Sequence, residues 1–140
     1  MNLILMLLML ALLCEGCICG KSKSSSPENN SAEFATPIPP SPDAAVTRLR
    51  VLLAPARIDE LAAQPESKIG AHQLDLRIGI VNYWLVEGSS LRLYFNQRGV
   101  YDREDMAEIV IVSLWRSLHG LPAKVEEQIV QYNITHPDEK

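Results

Sequence analysis

At 140 residues, 47% of them hydrophobic, with a formal net charge of −4, the chain has room for one modest domain and no more. Acidic and basic side chains are interspersed, so the Lys/Arg-rich face that a nucleic-acid partner requires is missing. All three cysteines, Cys14, Cys17 and Cys19, fall within the first 19 residues, which leaves the remainder without material for a disulfide.

Leu3 to Leu13 is an unbroken apolar run of 11 residues, and the first charged side chain is Glu15. As a helix it would rise only about 16 Å, against a hydrocarbon core of roughly 30 Å. That length suits the apolar region of a signal peptide better than a membrane span. The run gives way to Cys14-Glu15-Gly16-Cys17, which resembles the lipobox of bacterial lipoproteins. The resemblance implies a signal peptide over residues 1–16, cleavage after the small residue Gly16, and acylation with palmitate-type chains at Cys17, which would hold the protein on a membrane. Ile18, rather than Asp, follows that cysteine; by the sorting rule of enteric lipoproteins this implies the outer membrane, with the chain facing the periplasm. Cys14 and Glu15 stand where the family usually has Leu and a small neutral residue, and no Lys or Arg precedes the apolar run. Two other arrangements stay open: an uncleaved anchor extending through Ile18, and a C-x2-C-x-C thiolate cluster, for which no nearby His supplies a fourth zinc ligand.

From Gly20 to Pro40 the composition turns to Ser, Pro, Asn and Lys. Such a stretch buries too little apolar surface to offset the entropy of ordering it, so residues 17–40 read as a lipidated end and flexible tether. Its reach would be on the order of 70 Å fully extended and about 25 Å as a coil.

The domain is expected over residues 41–134. Ser41 reads as an N-cap with Pro42 at the first helical position, and Ala45, Val46, Leu49, Leu52 and Leu53 share one face of the helix that follows. Pro55 stops it. A second helix over Ala56 to Gln64 aligns Ile58, Leu61 and Ala62, and Pro65 closes the segment.

Leu74 to Phe95 supports two readings. Leu74, Leu76, Ile78 and Ile80 alternate, Glu87-Gly88-Ser89 turns, and Leu91, Leu93 and Phe95 alternate again, which is the pattern of a β-hairpin at 74–96. Leu74, Ile78, Val81 and Leu85 also lie at helical spacing, and Ser89 or Ser90 can cap a further helix in which Leu91, Tyr94 and Phe95 share a face and Gly99 ends it.

Asp102 to Gly120 is the dominant element. Asp102 is an N-cap, Asp105 lies in the first turn, and Gly120 followed by Pro122 marks the end. Met106, Ile109, Val110, Ile111, Val112, Leu114, Trp115 and Leu118 cover most of the surface, leaving a narrow polar strip of Asp105, Glu108, Ser113 and Arg116. A helix that apolar needs neighbours on several sides. The last helix runs from Pro122 to Tyr132 with Val125, Ile129 and Tyr132 as its packing face, and residues 135–140 read as a frayed tail.

The block from Asn82 to Pro122 resembles an uncharacterised bacterial domain family, a domain of unknown function. The resemblance rests on Asn82-Tyr83-Trp84, the Gly88-Ser89 turn, the Leu-rich run to Phe95, Gly99-Val100, Asp105-Met106 and the closing Arg116 to Gly120. It implies a mostly helical fold and no activity. The expected fold is therefore all-α around the helix at about 102–119, with an α+β fold carrying the hairpin as the alternative.

Chemistry-bearing residues are sparse. His72, His119 and His136 have no His or Cys at helical metal spacing, Ser89 and Ser90 lack a nucleophile elbow, and no Gly-rich phosphate loop occurs. Asp102, Glu104, Asp105 and Glu108 suit a helix start better than a calcium loop. No catalytic residue, metal ligand or cofactor is assigned. Arg77, Arg92, Arg98 and Arg103 are candidate contacts for an anion or a partner protein. The expected function is that of a lipid-anchored helical interaction module meeting an unknown envelope protein, with Tyr83, Trp84 or Tyr101 on its surface or in its core. The alternative is a small-ligand-binding or enzymatic domain with a pocket near His72 and Gly88.

Overall fold

The computed structural model describes residues 34–35 and 37–138. Among these the secondary structure is helical throughout, with no strand: α1 (Pro42–Leu52), α2 (Pro55–Ala63), α3 (Glu66–His72), α4 (Leu74–Gly79) running into a π-helical segment (Ile80–Trp84), α5 (Ser90–Asn96), α6 (Arg103–Leu118) and α7 (Val125–Thr135). None of the described helices is long and apolar enough to cross a membrane.

Helix α6 is the hub, and every other element packs against it. Its start is set by Asp102, whose carboxylate accepts from the backbone N–H groups of Glu104 and Asp105 at 2.7 and 3.2 Å. At its end the Gly120 N–H bonds the Ser117 carbonyl and the Leu121 N–H bonds that of Arg116, with Gly120 at φ +67°. Those two bonds are a Schellman closure, which satisfies carbonyls the helix leaves orphaned. Met106, Ala107, Ile109, Val110, Ile111 and Leu114 are buried between these ends. One member of the expected polar strip is not on the surface. Ser113 is fully buried, where α7 covers it and the Gln128 side-chain amide donates to its hydroxyl at 3.0 Å.

Proline punctuation sets the first three helices. The Ser41 hydroxyl caps α1 by accepting from the Ala44 N–H, Pro55 opens α2 at its first position, and Pro65 precedes α3. Trp115 donates its indole N–H to the Gln64 carbonyl at 2.8 Å, which ties the α2–α3 junction to the hub.

The hairpin alternative at 74–96 is overturned. Leu76, Ile80, Val81, Trp84 and Leu85 are buried, whereas Leu74 and Ile78 are 66% and 49% exposed, so the apparent alternation is split between two sides of a helix. The helical stripe read from Leu74 and Ile78 also had the wrong phase. The π segment, closed by the Leu85 N–H on the Ile80 carbonyl at 3.0 Å, holds an extra residue per turn and rotates Trp84 and Leu85 together into the core. Leu91 and Phe95 are likewise buried one helical turn apart on α5, with Leu93 outside. The last helix begins three residues later than Pro122, because the Arg116 guanidinium holds the Pro122 carbonyl at 2.7 Å and keeps the connector across the end of α6. Helix α7 continues through Thr135, and His136 stacks on Tyr132 with ring centroids 4.5 Å apart.

Candidate functional site

The most built feature of the surface is an aromatic socket on α4 and the π segment. Phe34 enters it from the N-terminal side and is 5% exposed. Its ring centroid lies 5.2 Å from that of Trp84 and 6.2 Å from that of Tyr83, the latter stacked at 23°. The Trp84 indole N–H donates to the Phe34 carbonyl at 3.1 Å. Gly79 forms the floor: a Cβ there would stand 2.7 Å from the Phe34 ring, so only glycine leaves room for it. The Trp84 backbone is held in turn, since the Ser89 hydroxyl donates to its carbonyl at 2.8 Å while also capping α5. An aromatic ring held between two others, with its carbonyl bound to a buried indole, gains from both area burial and ring geometry.

Beside the socket opens a cleft of about 430 Å³, lined by Phe34, Val51, Leu52, Leu53, Ala54, Pro55, Arg57, Asp75 and Leu76. Its lining mixes apolar side chains with a charged pair, in which Arg57 donates to both oxygens of Asp75 at 2.7 and 3.0 Å and also to the Gln73 side-chain oxygen at 2.7 Å. Val51, also in the lining, is 81% exposed.

A second cleft, of about 550 Å³, lies between α6 and α7. Within its lining Arg116 pairs with Glu66 and Lys124 with Glu127, while Glu108 pairs with Arg77 outside it. Among the described residues no group of His, Cys, Asp and Glu is placed to hold a metal ion. Near the start of α7, Tyr94 donates its hydroxyl to Glu126 at 2.7 Å, and Arg98 covers its ring at 3.7 Å while bonding the same carboxylate at 3.1 Å. Burial first, and then the Glu126 carboxylate, push the Tyr94 phenol up to about 12; the Arg98 charge opposes them.

The candidate residues from the sequence are scattered over this frame. Cys17 and the apolar run before it lie outside the described residues. Arg77 serves Glu104, Glu108 and the Gly70 carbonyl, and Arg98 serves Glu126 and Tyr94, so two of the four arginines already hold separate acidic partners. Arg92 and Arg103 make no side-chain hydrogen bond or ion pair among the described residues. His72 is exposed at the end of α3, Asp75 is taken by Arg57, and neither His72 nor Gly88 lines the clefts described above. His119 caps the end of α6 with its ring against Trp115, 4.0 Å between centroids. Trp84 is wholly buried, Tyr83 partly buried, and Tyr101 exposed. What the sequence did not disclose is Phe34, grouped by composition with the tether yet packed in the core. A lone aromatic in a Ser/Pro/Asn stretch was the available signal.

A family model described as a domain of unknown function, DUF6794, matches residues 38–118. The chain belongs to this family. The DUF6794 segment runs from just before α1 to the last residue of α6, and so contains Gly79, Tyr83 and Trp84, while Phe34 precedes it and α7 follows it. No curated protein and no solved structure matches the chain.

Proposed function

We propose that this protein is a membrane-anchored lipoprotein of the bacterial cell envelope, and that its DUF6794 domain is an interaction module for another envelope protein. In this reading residues 1–16 are removed as a signal peptide, Cys17 carries the lipid, and the domain faces the periplasm from the outer membrane. Segment 18–33 would then allow a reach of at most on the order of 55 Å from the lipid to Phe34, the first core residue among those described. Anchoring rests on the apolar run followed by Gly16-Cys17.

The observation that carries the module reading is the cleft beside Phe34. Its apolar side chains, the Arg57–Asp75 pair beside them and the exposed Val51 suit a protein-binding surface, where apolar and polar contacts combine. The test is metabolic labelling with a palmitate analogue in bacteria, comparing the native protein with Cys17→Ala. Label that is present in the native chain and lost in the variant supports the anchor, and cross-linking in those membranes then seeks the partner. A native chain without label, still carrying residues 1–16, overturns it.

A further inference from the structure

We propose that the socket of Gly79, Tyr83 and Trp84 is a peptide-docking site, occupied in cis by Phe34 and open in trans to a partner segment that carries an aromatic residue. This deepens the interaction-module reading and rests on it.

The cis occupant shows what the socket takes. A flat ring fits over Gly79 between Tyr83 and Trp84, and a backbone carbonyl accepts from the Trp84 indole. Neither element of recognition is particular to this chain's own N-terminal side; any segment with an aromatic residue offers both. A fully buried indole N–H without an acceptor would be costly, so an empty socket favours capture of a new carbonyl.

Phe34 meets the domain through its ring and the carbonyl that accepts from Trp84, and Ala35, Pro37 and Ile38 after it are exposed. Beyond the ring the site continues into the cleft lined by Val51, Leu53 and Leu76 together with Arg57 and Asp75. A longer partner segment would occupy ring site and cleft together, which Phe34 alone does not. The socket walls lie inside the DUF6794 segment and the plug lies before it, so the receiving site belongs to the module and the plug to the segment that leads to it.

A short connection to Pro42 gives Phe34 an effective concentration of order millimolar, so the cis plug competes with any trans segment. The test uses the full chain in detergent and a synthetic peptide of residues 31–38, SAEFATPI, with binding followed by tryptophan fluorescence. Phe34→Ala is expected to bind the peptide about tenfold or more tightly than the native chain does. The same peptide with alanine in place of its phenylalanine is expected to lose about tenfold or more. Failure of a folded Phe34→Ala chain to bind, or equal binding of the two peptides, overturns the proposal. Should Phe34→Ala not fold, Phe34→Leu is compared instead, and a lack of preference for the aromatic peptide there has the same force. Gly79→Ala is expected to abolish binding. Lipidation plays no part in this assay, so a negative result with Cys17 labelling intact removes the socket and leaves the anchored protein standing.

Discussion

Gly79→Ala sets two effects of opposite sign against each other. Alanine improves helix propensity at the end of α4, which alone would stabilise by about 0.5–1 kcal/mol. The new methyl, however, would stand 2.7 Å from the Phe34 ring, and that ring has Tyr83 and Trp84 on its other sides. Displacing it forfeits the burial of a phenylalanine, about 1.5–3 kcal/mol, and the indole hydrogen bond, about 0.5–1.5 kcal/mol. The net expectation is a loss of about 1–4 kcal/mol. In a Phe34→Ala background the steric conflict is gone, and the same substitution should stabilise by about 0.5–1 kcal/mol. Urea unfolding of the four chains, followed by circular dichroism, measures both signs in one double-mutant cycle. Stabilisation by Gly79→Ala in both backgrounds would refute the packing of Phe34 over Gly79.

Three further outcomes follow from the geometry. Asp102→Ala removes the N-cap of the hub helix and should cost about 1 kcal/mol in the same assay, with Asp102→Ser restoring most of it. Lys124 is the sole non-glycine residue at positive φ among those described, at +57°; Lys124→Gly should stabilise by about 1 kcal/mol despite loss of the exposed pair with Glu127. The Tyr94 phenol titrates at about 12 in the fold against 10.0 for a free phenol, so the unfolded chain loses that proton first. Its contribution is complete below 10.0 and is lost as pH rises toward 12; native and Tyr94→Phe unfolding curves should converge or cross over that window, and a constant difference would contradict the raised phenol pKa, which burial and then Glu126 produce.

The hub helix was legible because local chemistry specifies it. Asp102, the acidic first turn and Gly120 each act within a few residues, and the structure places each in its expected role. The segment from Leu74 was ambiguous for a physical reason. Leu74, Leu76, Ile78 and Ile80 satisfy a period of 2, and the π turn after Gly79 shifts the helical phase, so neither simple period describes which side is buried. Ser113 looked like surface because its partner, Gln128, comes from another helix. Phe34 is hidden in the sequence on the same grounds. Its neighbours in sequence are polar, and its contacts at Tyr83 and Trp84 lie about fifty residues away. The Arg57–Asp75 pair and the Glu66–Arg116 pair are also long-range, and pairs of that kind are too common in sequence to be read in advance.

Photo-cross-linking in living bacteria from a photoreactive side chain placed at Val51 addresses the anchored interaction module most directly. Val51 is 81% exposed in the lining of the cleft, so the substitution leaves the core untouched. A discrete adduct with one envelope protein, lost when Cys17→Ala releases the chain from the membrane, is the predicted result. An abundant, folded protein that yields no adduct from Val51, or the same adduct with and without Cys17, would contradict it.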